Sequence, residues 1–105
     1  MTGAVVVLVT APDEALAASV ARALVEERLV ACVNIVPGVR SIYRWEGVVT
    51  DEAEVLMILK THGEQVPALE ARVRALHQYT VPEFLVLSIP HGSASYLAWL
   101  AGSVT

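Results

Sequence analysis

The segment 77–83 holds the side chains best suited to chemistry in this chain. His77 supplies an imidazole and Glu83 a carboxylate, with the phenol of Tyr79 between them. Imidazole and carboxylate groups are ligands for borderline divalent cations, so this pair is the predicted metal site. A structural alternative for His77 is a cation at a helix C-terminus, where it offsets the helix dipole.

Four further residues are candidates for lining a ligand cleft. They are Thr10 at the end of the first strand, Trp45 in the second, Asn34 in the apolar run CVNIV, and Lys60 near the end of the third strand. Asn34 must be hydrogen-bonded if it is buried, and it offers both donors and acceptors. Lys60 with the following glycine forms a weak anion-binding pattern, which an ordinary strand end explains better.

The other histidines and the single cysteine are weaker candidates. His62 and His91 are predicted at one end of the sheet, two strand spacings or roughly 9–10 Å apart, so one metal cannot join them without loop movement. Cys32 lies in an apolar run, where a free thiol commonly packs as a small hydrophobic group. The sequence has no nucleophile–base pair, glycine-rich nucleotide loop or HExxH spacing. The residues alone therefore indicate no catalytic motif and no required cofactor.

The composition predicts one domain with more apolar surface than a small core covers. The chain has 105 residues, of which 55% are hydrophobic and 17% charged, compared with about 45–50% and about 25% in typical domains. The apolar runs AVVVLV and VLMIL are far shorter than the roughly 20 residues of a membrane span. Burial against another subunit is the better explanation of the apolar excess.

Charge and cysteine content indicate the surroundings of the protein. The net charge is −4 with no basic cluster, which argues against a nucleic-acid or anionic-membrane partner. No basic segment precedes the cleavage-like sequence at 15–17, and Pro12-Asp13-Glu14 interrupts the apolar run, so no signal peptide is expected. One cysteine suits a reducing compartment, and we predict a cytoplasmic protein.

These side chains are positioned by elements in the predicted order βα–ββ–αβ, followed by a terminal helix. The hydrophobic patterns predict strands over 5–10, 30–46, 48–61 and 83–90, a helix capped by Thr10, and helices over 66–77 and 94–102. Right-handed crossovers then give an α+β, ferredoxin-like antiparallel sheet of spatial order 4-1-3-2, with both crossover helices on one face. Residues 1–105 form a single domain in this prediction.

The middle strands are too long for the rest of this sheet. The first strand covers about half of each, so roughly residues 39–54 must project as a hairpin arm of about 20–25 Å. The arm carries an apolar set that an isolated hairpin cannot bury: Val39, Ile42, Tyr43, Trp45, Val48 and Val49. We predict that another copy of the chain covers this set, and that Tyr43 and Trp45 are interface anchors rather than a ligand cage.

Several motifs, in order and spacing, resemble the CutA divalent-cation tolerance proteins. They are ACVNIVPGVRSIYRWEG at 31–47, EVLMILKT at 54–61, YTVPEFLVL at 79–87 and YLAWL at 96–100, and the opening VLVTAPDEALA is similar too. The resemblance implies a small homotrimer with a ferredoxin-like core, similar in architecture to the PII signalling proteins, and tolerance of copper and other divalent metals. It also implies no well-defined enzymatic reaction, so we expect a protein that is not an enzyme. Copper ligands proposed in some members correspond here to Val9, Leu76 and His77. Valine and leucine cannot ligate a metal.

The expected function is therefore homotrimeric divalent-cation tolerance with weak binding of copper or another divalent ion at an intersubunit cleft. That cleft is expected to gather Thr10, Trp45, His77, Tyr79 and Glu83. The alternatives are a PII-like sensor of a small anionic molecule, using Lys60 and Asn34, and a signalling scaffold without a ligand.

Overall fold

The computed structural model describes residues 2–105 as one antiparallel sheet with three helices. The elements are β1 (Ala4–Ala11), α1 (Glu14–Glu26), β2 (Cys32–Trp45), β3 (Val48–His62), a 3-10 turn (Gly63–Gln65), α2 (Val66–Leu76), β4 (Leu85–Ser88) and α3 (Ala94–Gly102). The strand order β2-β3-β1-β4 is the predicted order read from the other edge. The α+β, ferredoxin-like arrangement is confirmed.

The main core lies between one face of the sheet and helices α1 and α2. Val7 and Val9 of β1 are fully buried, and they alternate with half-buried residues that point to the opposite face. Helix α1 contributes Leu24 to this core, and α2 contributes Leu69 and Val73. Apolar residues recur at every second position on β1 and at helical spacing on α1 and α2. Each pattern places its apolar side chains on one face, and these faces pack together to form the core.

Helix α1 and strand β4 differ most clearly from the prediction, while the other elements shift by at most two residues at either end. Helix α1 is capped by Asp13, whose Oδ1 accepts a hydrogen bond from the Leu16 amide at 2.8 Å, whereas Thr10 belongs to β1 and pairs with Leu56. Asp13 is as good a cap as threonine and leaves Pro12 outside the helix. Strand β4 is shorter than the predicted 83–90. Its pairing with β1 runs from Val5–Ser88 to Leu8–Leu85, and beyond it the Thr10 carbonyl oxygen lies 2.7 Å from Nε2 of His77.

The predicted arm is present. Strand β1 pairs with β3 only from Val55 to His62, so the part of the hairpin from Val39 to Glu54 consists of β2 and β3 alone. A bulge between Val36 and Val39 shifts the alternation of β2, so that these two valines share one face. The turn residues Glu46 and Gly47 have φ values of 51° and 80°, as in a type I′ hairpin. The molecule measures 44 × 25 × 23 Å, which reflects this projection.

Much apolar surface remains uncovered on the arm and on β4. Of the predicted interface residues, Ile42, Tyr43, Trp45 and Val48 are exposed and Val39 is half-buried. Leu85 and Leu87 of the edge strand β4 are exposed as well, while α3 covers only a small patch through Leu100. Within residues 2–105, no helix is both long and apolar enough to cross a membrane.

Candidate functional site

A cleft of about 830 Å³ opens between the root of the arm and the loop that follows α2. It is lined by Thr10 of β1, residues 40–43 and Trp45 of β2, Glu54 of β3, and residues 78–83 of the loop. Its size is typical of small-molecule sites. Four of the five residues expected in a cleft, Thr10, Trp45, Tyr79 and Glu83, therefore line one cleft within a single chain. His77 lies behind it and is not part of the lining.

The hairpin register decides which arm side chains face the cleft. Tyr43 pairs with Thr50 and Trp45 pairs with Val48, so both rings lie on one face of the arm. Ser41 pairs with Glu52 and Val39 with Glu54, which places both carboxylates on that same face. The arm therefore presents aromatic rings near its tip and carboxylates near its root.

Each of these two carboxylates accepts a hydrogen bond from a tyrosine. The Tyr79 hydroxyl donates to Oε2 of Glu54 at 2.7 Å, and the Tyr43 hydroxyl donates to Oε1 of Glu52. The bond to Glu52, together with partial desolvation and that carboxylate's charge, raises the pKa of Tyr43 to about 12. Burial and the bond to Glu54 raise the pKa of Tyr79 well above its ordinary value. Both phenols therefore stay protonated and donate at neutral pH.

Glu83 is an exposed carboxylate of the cleft lining, and its surroundings disfavour its charged form. Its pKa is raised above the ordinary 4.5, first by partial desolvation and then by the charge of Glu54. Glu54 itself is buried, with 7% of its surface exposed. Two carboxylates that repel each other across a partly desolvated cleft bind a cation favourably, because the cation offsets the repulsion.

His77 uses both of its ring nitrogens in hydrogen bonds. Nδ1 accepts from the Tyr79 amide at 3.0 Å, so the ring hydrogen belongs on Nε2, which lies 2.7 Å from the Thr10 carbonyl oxygen. The imidazole also packs against the Tyr79 ring, with 4.6 Å between centroids. His77 can ligate a metal only if one of these bonds breaks. Its observed role is to hold the loop against β1 and so to position Tyr79.

Arg40 is the basic residue among those that line the cleft, and it is already paired. Its guanidinium forms two hydrogen bonds with Asp51, at 2.9 and 2.6 Å. This pairing raises the pKa of Arg40 and lowers the pKa of Asp51. The ion pair leaves the charges of Glu54 and Glu83 uncompensated, so the cleft favours cations over phosphate-bearing ligands.

The residues of the predicted anion site lie elsewhere. Asn34 and Lys60 belong to β2 and β3 on the open face of the sheet, where Asn34 is exposed. The Lys60 ammonium lies 5.9 Å from the centroid of the Tyr96 ring, and the Tyr96 hydroxyl also lies 3.6 Å from the Cys32 sulfur. Across residues 2–105, no three histidine, cysteine, aspartate or glutamate side chains come close enough together to hold a metal ion.

Sequence reasoning missed Glu52 and Glu54. The signal was present, because a two-residue turn at Glu46-Gly47 fixes the register of the whole hairpin. With Trp45 opposite Val48, every second residue back from the turn falls on one face, and that face carries both glutamates. Their tyrosine partners depend on where the loop after α2 runs, which no local pattern specifies.

Comparison with known proteins gives one consistent family. The model of the CutA1 divalent ion tolerance protein family matches residues 5–103. The divalent-cation tolerance protein CutA of Thermus thermophilus is 56% identical over 95 residues, which cover 90% of this chain and 92% of that protein. The human protein CutA is 47% identical over 92 residues, and the chain spans about half of it, 51%.

Solved structures give the same result. The structure of the divalent cation tolerance protein Cut A1 from Thermus thermophilus superposes with a TM-score of 0.95 at 52% identity, covering 97% of this chain and 99% of that one. A protein from Archaeoglobus fulgidus, described as the periplasmic divalent cation tolerance protein CutA, gives a TM-score of 0.94 at 34% identity, covering 97% and 99%.

Proposed function

The chain belongs to the CutA1 divalent ion tolerance family, and we propose that it serves divalent-cation tolerance by binding such cations weakly at the cleft beside the arm. The observation that carries this proposal is the presence of Glu54 and Glu83 in the lining of one cleft. Both line the cleft, and the charge of Glu54 helps to raise the pKa of Glu83. A divalent cation held between them relieves that repulsion and meets oxygen ligands, which hard and borderline cations accept.

The binding is weak because one chain supplies too few ligands. Two carboxylates leave several coordination positions for water or for a second copy of the chain. The threonine and serine hydroxyls of Thr10, Ser41 and Thr80 line the same cleft and are suited to hydrogen-bonding those waters. Copper or another divalent ion is the proposed ligand. His77 can coordinate this ion only after one of its ring nitrogens releases its hydrogen bond.

We propose a homotrimer as the working form. The support is the uncovered apolar set on the arm and the exposed edge of β4, where Val48 is 64% and Leu85 55% exposed. An edge strand with apolar side chains is a template for pairing with another chain. The arm of one copy laid on a neighbour would bury this surface and place the cleft between subunits.

The proposal also covers catalysis and location in the cell. The protein is proposed to act without catalysis, in keeping with the divalent-cation tolerance names of the proteins it resembles. It works in the cytoplasm, as the single cysteine suggests, although a related protein is described as periplasmic.

Thermal unfolding with a panel of divalent cations and nucleotides tests the function. A ligand at one hundred times its Kd adds about 2.7 kcal/mol to the free energy of unfolding. Divalent cations should raise the unfolding temperature, Glu83→Gln should diminish that rise, and Glu64→Gln, which alters an exposed glutamate of the 3-10 turn, should not. A shift produced by nucleotides alone, or an equal effect of both substitutions, contradicts the proposal.

A further inference from the structure

The open face of the sheet, on the side away from α1 and α2, is largely apolar. Side chains that alternate with the buried core residues of β1 and β3 lie on this face, together with those opposite them on β2 and β4. Its apolar residues are half-buried or exposed in the single chain and include Leu8, Val36, Leu56, Ile58, Leu85 and Leu87. Helix α3 covers one end of the face, where Leu100 packs with Ala4.

This face continues onto the arm without a break. The bulge after Val36 places Val39 on the same side of β2, and Tyr43 and Trp45 follow on that side. In the proposed homotrimer another copy of the chain covers the apolar set of the arm. Because the two surfaces are continuous, the same assembly also covers the open face, and a second copy is the occupant that we infer for it.

Asn34 places a neutral amide within this apolar surface. It lies opposite Ile58 in the β2–β3 register, and Cys32 and Val36 precede and follow it on the same face of β2. Asn34 is exposed, so in the single chain its amide can form hydrogen bonds with water. Lys60 is placed differently, because its ammonium group lies over an aromatic ring of α3, 5.9 Å from the ring centroid.

Covering the open face with a second copy removes the Asn34 amide from water. A buried amide is costly unless protein groups replace its hydrogen bonds to water. In coiled coils, one buried asparagine fixes the alignment and the number of helices. We propose that the Asn34 side chain hydrogen-bonds to a polar group of a neighbouring copy and thereby fixes how the copies align. This inference rests on the homotrimer of the proposed function.

Hydrogen exchange of side-chain amides tests this bond in the unmutated protein. Asn34 is the single asparagine of the sequence, so its side-chain amide gives one identifiable pair of NMR signals after ¹⁵N labelling. Gln65 is the reference, because it lies at the start of α2 and its side chain forms no capping hydrogen bond there. We expect the Asn34 amide hydrogens to exchange at least about tenfold more slowly than those of Gln65. Equal exchange rates overturn the inference.

Two substitutions distinguish a hydrogen bond from simple burial. Asn34→Asp keeps the shape but buries a charge, and it should raise the Kd of assembly at least about a hundredfold at pH 7. Asn34→Leu leaves the polar group of the neighbouring copy unpaired and should raise the Kd about tenfold. Gln65→Glu makes the same amide-to-carboxylate change away from the open face and should leave the Kd unchanged.

Sedimentation equilibrium measures these changes, in urea at a concentration that half dissociates the unmutated assembly. Weaker and tighter assembly are then both measurable. Tighter assembly of Asn34→Leu, or an unchanged Kd for Asn34→Asp, overturns the inference.

The same measurements separate this inference from the proposal on which it rests. If the unmutated chain is a folded monomer at micromolar concentration without urea, the homotrimer and the inference both fail. If it is a trimer in which the Asn34 amide exchanges as fast as that of Gln65, the inference fails and the homotrimer stands.

Discussion

The hydroxyl of Tyr79 donates a hydrogen bond of 2.7 Å to Oε2 of Glu54. One partner lies in the loop that follows α2, and the other is the last residue of the arm before β3 begins to pair with β1. The bond therefore links the two walls of the cleft. Because Glu54 is buried, its carboxylate depends on this phenol for one of its interactions.

Tyr79→Phe should destabilise the fold by about 1 kcal/mol, because the substitution leaves the buried Glu54 carboxylate without its phenolic donor. Denaturant unfolding at neutral pH measures this change. Tyr43→Phe is the matched control, since it removes the same chemical group from the exposed bond to Glu52, and it should have a smaller effect. If the two substitutions lower the free energy of unfolding equally, the burial of Glu54 adds nothing to the cost of removing its phenolic donor.

Glu83 should make the stability depend on pH in the acidic range. A carboxyl whose pKa is raised in the folded state contributes stability that is present below its ordinary value of 4.5 and is lost as the pH rises through the folded pKa. Glu83→Gln should remove that loss, so the variant should gain stability over the unmutated protein as the pH rises from about 4 to about 7. Unfolding measurements that show a parallel pH dependence for both proteins would contradict this account of Glu83.

Glu46→Asn should stabilise the arm. Glu46 occupies the left-handed region with φ of 51° in a two-residue turn before Gly47, and asparagine accepts that conformation more readily than glutamate. We expect the free energy of any unfolding event that opens the arm to rise by about 1 kcal/mol. Hydrogen exchange at the arm amides resolves the gain locally. Faster exchange in the variant would show that the glutamate side chain itself supports the turn.

Trp45→Ala should impair assembly. In a homotrimer whose interface packs this indole fully, its removal costs about 3–5 kcal/mol. Sedimentation at micromolar concentration should show trimers for the unmutated protein and smaller species for the variant. A folded monomer of the unmutated protein at that concentration would defeat the oligomer proposal.

The fold could be predicted almost completely because local signals agreed with one another. The β-branched run of β1, the turn at Glu46-Gly47 and the helical spacing of α2 each specify one element, and right-handed crossovers leave one strand order. The start of α1 was misplaced because Thr10 and Asp13 are both acceptable caps. Only the length of β1 decides between them, and that length is set by pairing with β3.

The site could be predicted only in part. Four of the five residues expected together, Thr10, Trp45, Tyr79 and Glu83, line one cleft. That they bind a ligand there stays a prediction. The tyrosine–glutamate pairs and the double hydrogen bonding of His77 did not, because they depend on the path of residues 77–84, a loop without periodicity. His77 illustrates the limit: its residue type predicts a metal ligand, which stays a prediction, and no local pattern indicated its two hydrogen bonds.

Cation binding at Glu54 and Glu83 is the central claim, and paramagnetic broadening by Cu²⁺ tests it most directly. Trace Cu²⁺ added to the ¹⁵N-labelled protein weakens the amide signals nearest to the bound ion. We predict loss of signals from residues 79–83 and from the neighbourhood of Glu54, with recovery on addition of excess Zn²⁺ and a much weaker effect in Glu83→Gln. Broadening confined to the surroundings of His62 and His91, with the cleft signals intact, would contradict the claim.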